Sequence, residues 1–149
     1  MLILKRKKTT LICGDWFCYI WWNRNGKIIL AQMNVNIKKG ILSEYNATYS
    51  DSSDTYFGKA FIECNNLCIN MSLKNNTVYE GTTFHRYDLS TTTNRNQLYG
   101  FWLSRNADKK VSCGGTILSR KKINKNQCSE IIKQKYCINT EIPVLSLVF

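Results

Sequence analysis

Residues 27–37 read KIILAQMNVNI. In an extended chain Ile29, Ala31, Met33, Val35 and Ile37 fall on one side, and Gln32, Asn34 and Asn36 on the other. This alternation at period two is what a β-strand with one face on a core requires. Residues 67–74 repeat it, with Leu67, Ile69, Met71 and Leu73 opposed to Cys68, Asn70, Ser72 and Lys74. Turn-forming residues interrupt the chain at short intervals, at 23–26, 38–40, 51–54, 65–66, 75–76 and 106–108. The strands so bounded are 11–22, 27–37, 41–50, 55–63, 67–74, 77–88, 98–105 and 111–121, eight in number.

Short links between consecutive strands make a meander. Eight antiparallel strands with one apolar face close most simply into an up-and-down barrel, which removes exposed edges. The fold class expected is therefore all-β, with a two-sheet sandwich as the structural alternative. A barrel of this size holds one small ligand or a filling of side chains. Beyond the strands only 126–137 (NQCSEIIKQKYC) is helical in pattern, with Cys128, Ile131, Ile132 and Lys135 near one face. Lys133 and Lys135 lie at the end where cations suit the helix dipole. The apolar stretch 142–149 adds a strand, plugs a barrel end or meets a partner. Three parts result: a basic segment at 1–10, a barrel at 11–121, and a basic helix with an apolar tail at 122–149.

The 149 residues suit one domain, and 44% hydrophobic with 12% aromatic content excludes wholesale disorder. The net charge of +11 is unevenly placed: +4 at 1–8, +1 at 9–108 and +6 at 109–149. A nearly neutral body between basic ends argues against a general nucleic-acid surface. Fifteen Lys against six Arg, with sixteen Asn, is also the bias of AT-rich coding, which needs no anionic partner. Seven cysteines without a secretory signal pattern read as reduced cytosolic thiols. No run reaches the ~18–20 apolar residues of a membrane span. The stretch LILKRKK at 2–8 has the form of a membrane-helix end followed by a basic stop.

The sequence carries no catalytic signature. The single histidine, His85, excludes a two-histidine metal site and reads as an outward or mouth-facing residue beside Arg86 and Tyr87. Cys13/Cys18 and Cys64/Cys68 do not form the paired short spacings of a zinc site. No carboxylate pair suits general acid–base work, and no glycine-rich phosphate loop occurs. Gly114-Gly115 reads as a bend, a bulge or a close backbone approach. No enzyme activity, metal or cofactor is expected. The chemistry left is aromatic and cationic. Trp16, Tyr19, Trp21, Tyr45, Tyr87 and Trp102 are candidates to stack a ligand's bases, and Lys27, Arg86 and Arg105 to meet phosphates. The competing role for each aromatic is barrel packing, and the adjacent Trp21 and Trp22 must face opposite ways.

Gly14-Asp-Trp16 near the start, Leu98-Tyr-Gly-Phe-Trp102 late, and Cys113-Gly-Gly-Thr-Ile-Leu-Ser-Arg120 after a short turn form a pattern over roughly 12–121. It resembles the lipocalin-like β-barrel sensor domain of the two-transmembrane β-barrel effector family of bacterial cyclic-oligonucleotide (CBASS) antiphage systems. The resemblance implies a lipocalin-like barrel that binds a cyclic oligonucleotide second messenger without catalysis and oligomerises with its own copies. It places the chain in the bacterial cytoplasm or at the cytosolic face of the inner membrane, reached through an N-terminal membrane segment. The chain departs from the pattern in lacking the membrane helices, and the tail 122–149 has no counterpart in it. Two alternatives stand beside this expectation: a carrier of a small apolar ligand, and a nucleic-acid-binding β-protein using the basic ends.

Overall fold

A computed structural model describes residues 12–42, 44–52, 54–73, 82–89, 96–105, 110–136 and 144–148. Its strands are β1 (Gly14–Arg24), β2 (Lys27–Lys39), β3 (Tyr45–Ser50), β4 (Thr55–Glu63), β5 (Asn66–Leu73), β6 (Thr82–Asp88), β7 (Gln97–Arg105) and β8 (Val111–Ser119). Each pairs antiparallel with the next, and β1 pairs with both β2 and β8. The sheet therefore closes as an eight-stranded up-and-down barrel, and the sandwich alternative falls.

A helix, α1 (Lys125–Lys135), and a ninth strand, β9 (Val144–Val148), follow. β2 is 13 residues long, and β3 covers only its residues 34–39. Bare backbone would remain at 28–31, and β9 pairs there in parallel. The tail thus adds a strand. Residues 1–10, with the LILKRKK stretch, lie outside the described residues, as do 74 and 77–81 at the ends of two expected strands.

Local chemistry sets the boundaries. Asn25 and Gly26 both have positive φ (53° and 76°), as do Cys64 and Asn65 (45° and 60°). Each pair is the two-residue turn whose twist matches a hairpin. β3 starts at Tyr45, later than the expected 41, because the Gly40 N–H bonds the Glu44 carbonyl at 2.9 Å and so joins the two ends of the link from β2. α1 starts at Lys125 because Asn124 and Gln127 cap it reciprocally, side chain to backbone, at 2.9 and 2.8 Å.

Two apolar layers form. Inside the barrel pack Trp16, Cys18, Val35, Ile37, Tyr45, Tyr49, Leu67, Ile69, Tyr87 and Leu118. Outside it, Tyr19, Ile28, Leu30 and Ile117 are covered by Ile123 and by Cys128 and Ile132 of α1. β1 is apolar on both faces for this reason, and each large aliphatic buried in either layer stabilises by about 1.5–3 kcal/mol. The helix segment is also tied by phenols. The Tyr19 hydroxyl accepts the Ile123 N–H at 2.9 Å. The Tyr136 hydroxyl accepts the Gly100 N–H at 3.2 Å and lies 2.8 Å from the carbonyls of Gly100 and Thr116, between β7 and β8. Among the described residues no helix is long and apolar enough to cross a membrane.

One end of the barrel is sealed. Trp16 Nε1 donates to the Ile12 carbonyl at 2.8 Å, and the Arg120 guanidinium covers the Trp16 ring at 3.7 Å. Arg120 also donates to the carbonyls of Asp15 and Cys13 at 3.1 and 2.9 Å. Gly14 makes this approach available: its φ is +108°, and a Cβ there would stand 3.0 Å from Arg120 Nη1.

Candidate binding site in the barrel interior

Strand register determines which side chains enter the barrel. Cys18 pairs with Met33 and Leu118, Ile20 with Ala31 and Thr116, and Trp22 with Ile29. His85 pairs with Ile69 and Trp102, and Tyr87 with Leu67 and Gly100. All of these alternate with residues facing outward.

At mid-barrel the inward polar groups meet one another. The Tyr87 hydroxyl is the hub, lying 3.0 Å from Thr116 Oγ1, 3.1 Å from His85 Nδ1 and 3.3 Å from the Tyr49 hydroxyl. Cys18 Sγ stands 3.5 Å from Thr116 Oγ1 and 3.7 Å from the Tyr87 hydroxyl. Burial disfavours every charged form here. It brings His85 down to about 3 and pushes the Cys18 thiol up to about 11. The same cause raises Tyr49 and Tyr87 well above the phenol value. The cluster is neutral throughout, with its protons on the side chains.

Towards the end carrying the 25–26 turn, the interior loosens. Trp22, Ile29, Ala31, Tyr56 and Thr83 point inward yet are only half-buried. Below them Met33, Trp102 and Met71 keep 9%, 8% and 6% exposure, whereas Ile69 and Tyr87 have none. The inward-facing surface at this end is therefore partly accessible, and that accessibility ends near mid-barrel. Trp22 and Trp102 meet edge to face at 6.1 Å across Gly114, where a Cβ would strike the Trp21 carbonyl oxygen. Trp102 Nε1 donates to that same carbonyl at 3.2 Å, which fixes the indole in the wall. Arg24 and Lys27, paired at the β1–β2 tip, are exposed at the rim on the inward phase. Between the two rims no described inward-facing residue is charged.

The candidates from sequence do not share one place. Trp102 lines the accessible end, Lys27 stands at its rim, and Tyr87 is the hub beneath. Trp16 and Tyr45 are sealed in the barrel core. Tyr19 and Trp21 face outward under α1, where Trp21 meets Tyr136 edge to face at 4.9 Å. Arg86 and Arg105 lie on the outer surface, opposite Phe101 and Val111 in the ladder. A strand at period two cannot send Trp16 and both Tyr19 and Trp21 to one side.

His85 corrects the sequence expectation. It is an inward residue, 2% exposed, because it shares a strand phase with Tyr87. That spacing of two was the signal available for it. Trp22, Tyr49, Cys18 and Thr116 were also missed as parts of the site. Among the described residues no group of three or more His, Cys, Asp or Glu is placed to hold a metal ion. Compared with known proteins, the chain matches no protein-family model and no curated protein.

Proposed function

We propose that the chain is a non-enzymatic sensor that takes a small ligand into the accessible end of its barrel. The observation that carries this is the pair of inward indoles, Trp22 and Trp102, half-buried and nearly buried respectively, beneath Arg24 and Lys27. A flat ring would stack on the indoles, at about 1–3 kcal/mol per base, while an anionic group stays at the wet rim. A cyclic oligonucleotide second messenger has both parts, and a role in bacterial antiphage signalling follows for that ligand. In that role the sensor works in the cytoplasm or at the cytosolic face of the membrane, as a homo-oligomer. Arg86 and Arg105 have no part in this pose, since they face away from the interior.

The uncharged inner wall favours a second reading, a carrier of a small apolar ligand. One titration separates the two. Cyclic di- and trinucleotides should raise the melting temperature, and Lys27→Ala with Arg24→Ala should abolish that rise. Apolar probes that stabilise the protein equally in the double variant, with no response to any cyclic nucleotide, would establish the carrier instead.

A further inference from the structure

We propose that the floor of the accessible end offers its ligand one hydrogen-bond donor, the Nε2–H of His85, so that the molecule bound is an apolar or aromatic ring leading with an acceptor oxygen or nitrogen. The inference rests on the binding end described above and adds the polarity of its floor.

The direction of every proton in the buried cluster leads to it. Tyr49 is fully buried, and among the described residues its hydroxyl has Tyr87 as its one polar partner. Its proton must therefore go to the Tyr87 oxygen, or a buried donor is left unmade. The Tyr87 proton then has two destinations, Thr116 or His85. If it goes to Thr116, the Thr116 proton falls to the weak acceptor Cys18 Sγ, and the Cys18 proton has only the long 3.7 Å contact back to the Tyr87 oxygen. If it goes to His85 Nδ1, Thr116 donates back to Tyr87 and Cys18 donates to Thr116. Every proton is then placed, and the best acceptor, an imidazole nitrogen, takes the phenol's proton.

Nδ1 as acceptor puts the ring's proton on Nε2. The two nitrogens diverge, so Nε2 turns away from Tyr87. It has no partner among the described residues, and among them the one sealed side-chain nitrogen or oxygen without a partner is Trp21 Nε1. With 2% of His85 still exposed, Nε2 is the ring nitrogen left for a ligand to meet. Its neighbours across the ladder are Ile69 and Trp102, and no charged group among the described residues faces it. An acceptor pairs with that N–H, whereas an ammonium or a donor-only group meets N–H against N–H.

Two measurements test this. His85 is the chain's single histidine, so a long-range 1H–15N spectrum of the labelled full chain reports one imidazole. A protonated Nε2 and unprotonated Nδ1 are expected, with Tyr87→Phe mixing the tautomers; a protonated Nδ1 in the unaltered chain overturns the proposal. The second compares 2-acetylnaphthalene with 2-ethylnaphthalene, of similar shape, by quenching of tryptophan fluorescence. The acetyl probe should bind about 3- to 10-fold tighter. His85→Phe should erase the difference while both probes still bind, and His85→Gln, which keeps an N–H, should preserve part of it. Equal binding to the unaltered chain overturns the donor and leaves the binding end standing. Binding of neither probe overturns the binding end itself, while the tautomer is read independently.

Discussion

Burying a histidine as a neutral ring makes stability depend on pH in a direction that can be worked out. His85 is held down to about 3 from an ordinary 6.5. Between those values the unfolded chain binds a proton that the folded chain refuses. Each unit of acidification in that window removes up to about 1.4 kcal/mol, and above it His85 contributes no slope. Thermal denaturation should therefore show a steeper loss of melting temperature between pH 6.5 and 4 for the native chain than for His85→Phe; parallel curves would contradict the buried neutral ring. Gly114 is a second single-residue test. A methyl group there would meet the Trp21 carbonyl and stand 2.7 Å from Trp102 Nε1, in a wall where backbone cannot yield. Gly114→Ala should destabilise by about 1–3 kcal/mol, read as a lower urea midpoint at unchanged slope.

At the scale of elements, α1 and its flanks clamp the outside of the barrel at β1, β7 and β8. Tyr136→Phe keeps the ring against Trp21 but leaves the Gly100 N–H without its hydroxyl partner. The expected cost is about 1–3 kcal/mol in chemical denaturation, and no change would show that the strands pair without the phenol. Elements were also where the sequence was most readable. Period two in 27–37 and 67–74 identified strands and their inner faces, because one face of each meets a core while the other meets solvent. It was silent for β1, where Phe17, Tyr19 and Trp21 are apolar beside the inward Trp16 and Cys18. A strand covered on both sides loses its alternation, and the helix that covers this one lies some hundred residues later. The same limit separated the candidate site residues. Their types suited stacking and phosphate binding, but only the register of β6 with β5 and β7 sends His85 inward and Arg86 outward.

Across the whole molecule, closure leaves a backbone edge on β2 beyond the reach of β3, and β9 covers it at Ile28–Ala31. Deleting 144–149 should expose that edge and promote further association between copies, visible as concentration-dependent light scattering; a variant that scatters as the full chain does would show the edge to be harmless. The closing seam carries a further consequence, for how the chain reaches this state. β1 pairs at once with its neighbour β2, but its other side waits for β8, and Thr116 follows Cys18 by 98 residues. Pairings of such long range are slow to form, because the loop between them must be ordered first. A chain emerging from the ribosome therefore holds an open, half-wound sheet until Val111–Ser119 is made. Through that interval Cys18 lacks its Thr116 partner and β1 offers an unpaired side, so the nascent chain is most exposed to mispairing just before its last quarter is synthesised.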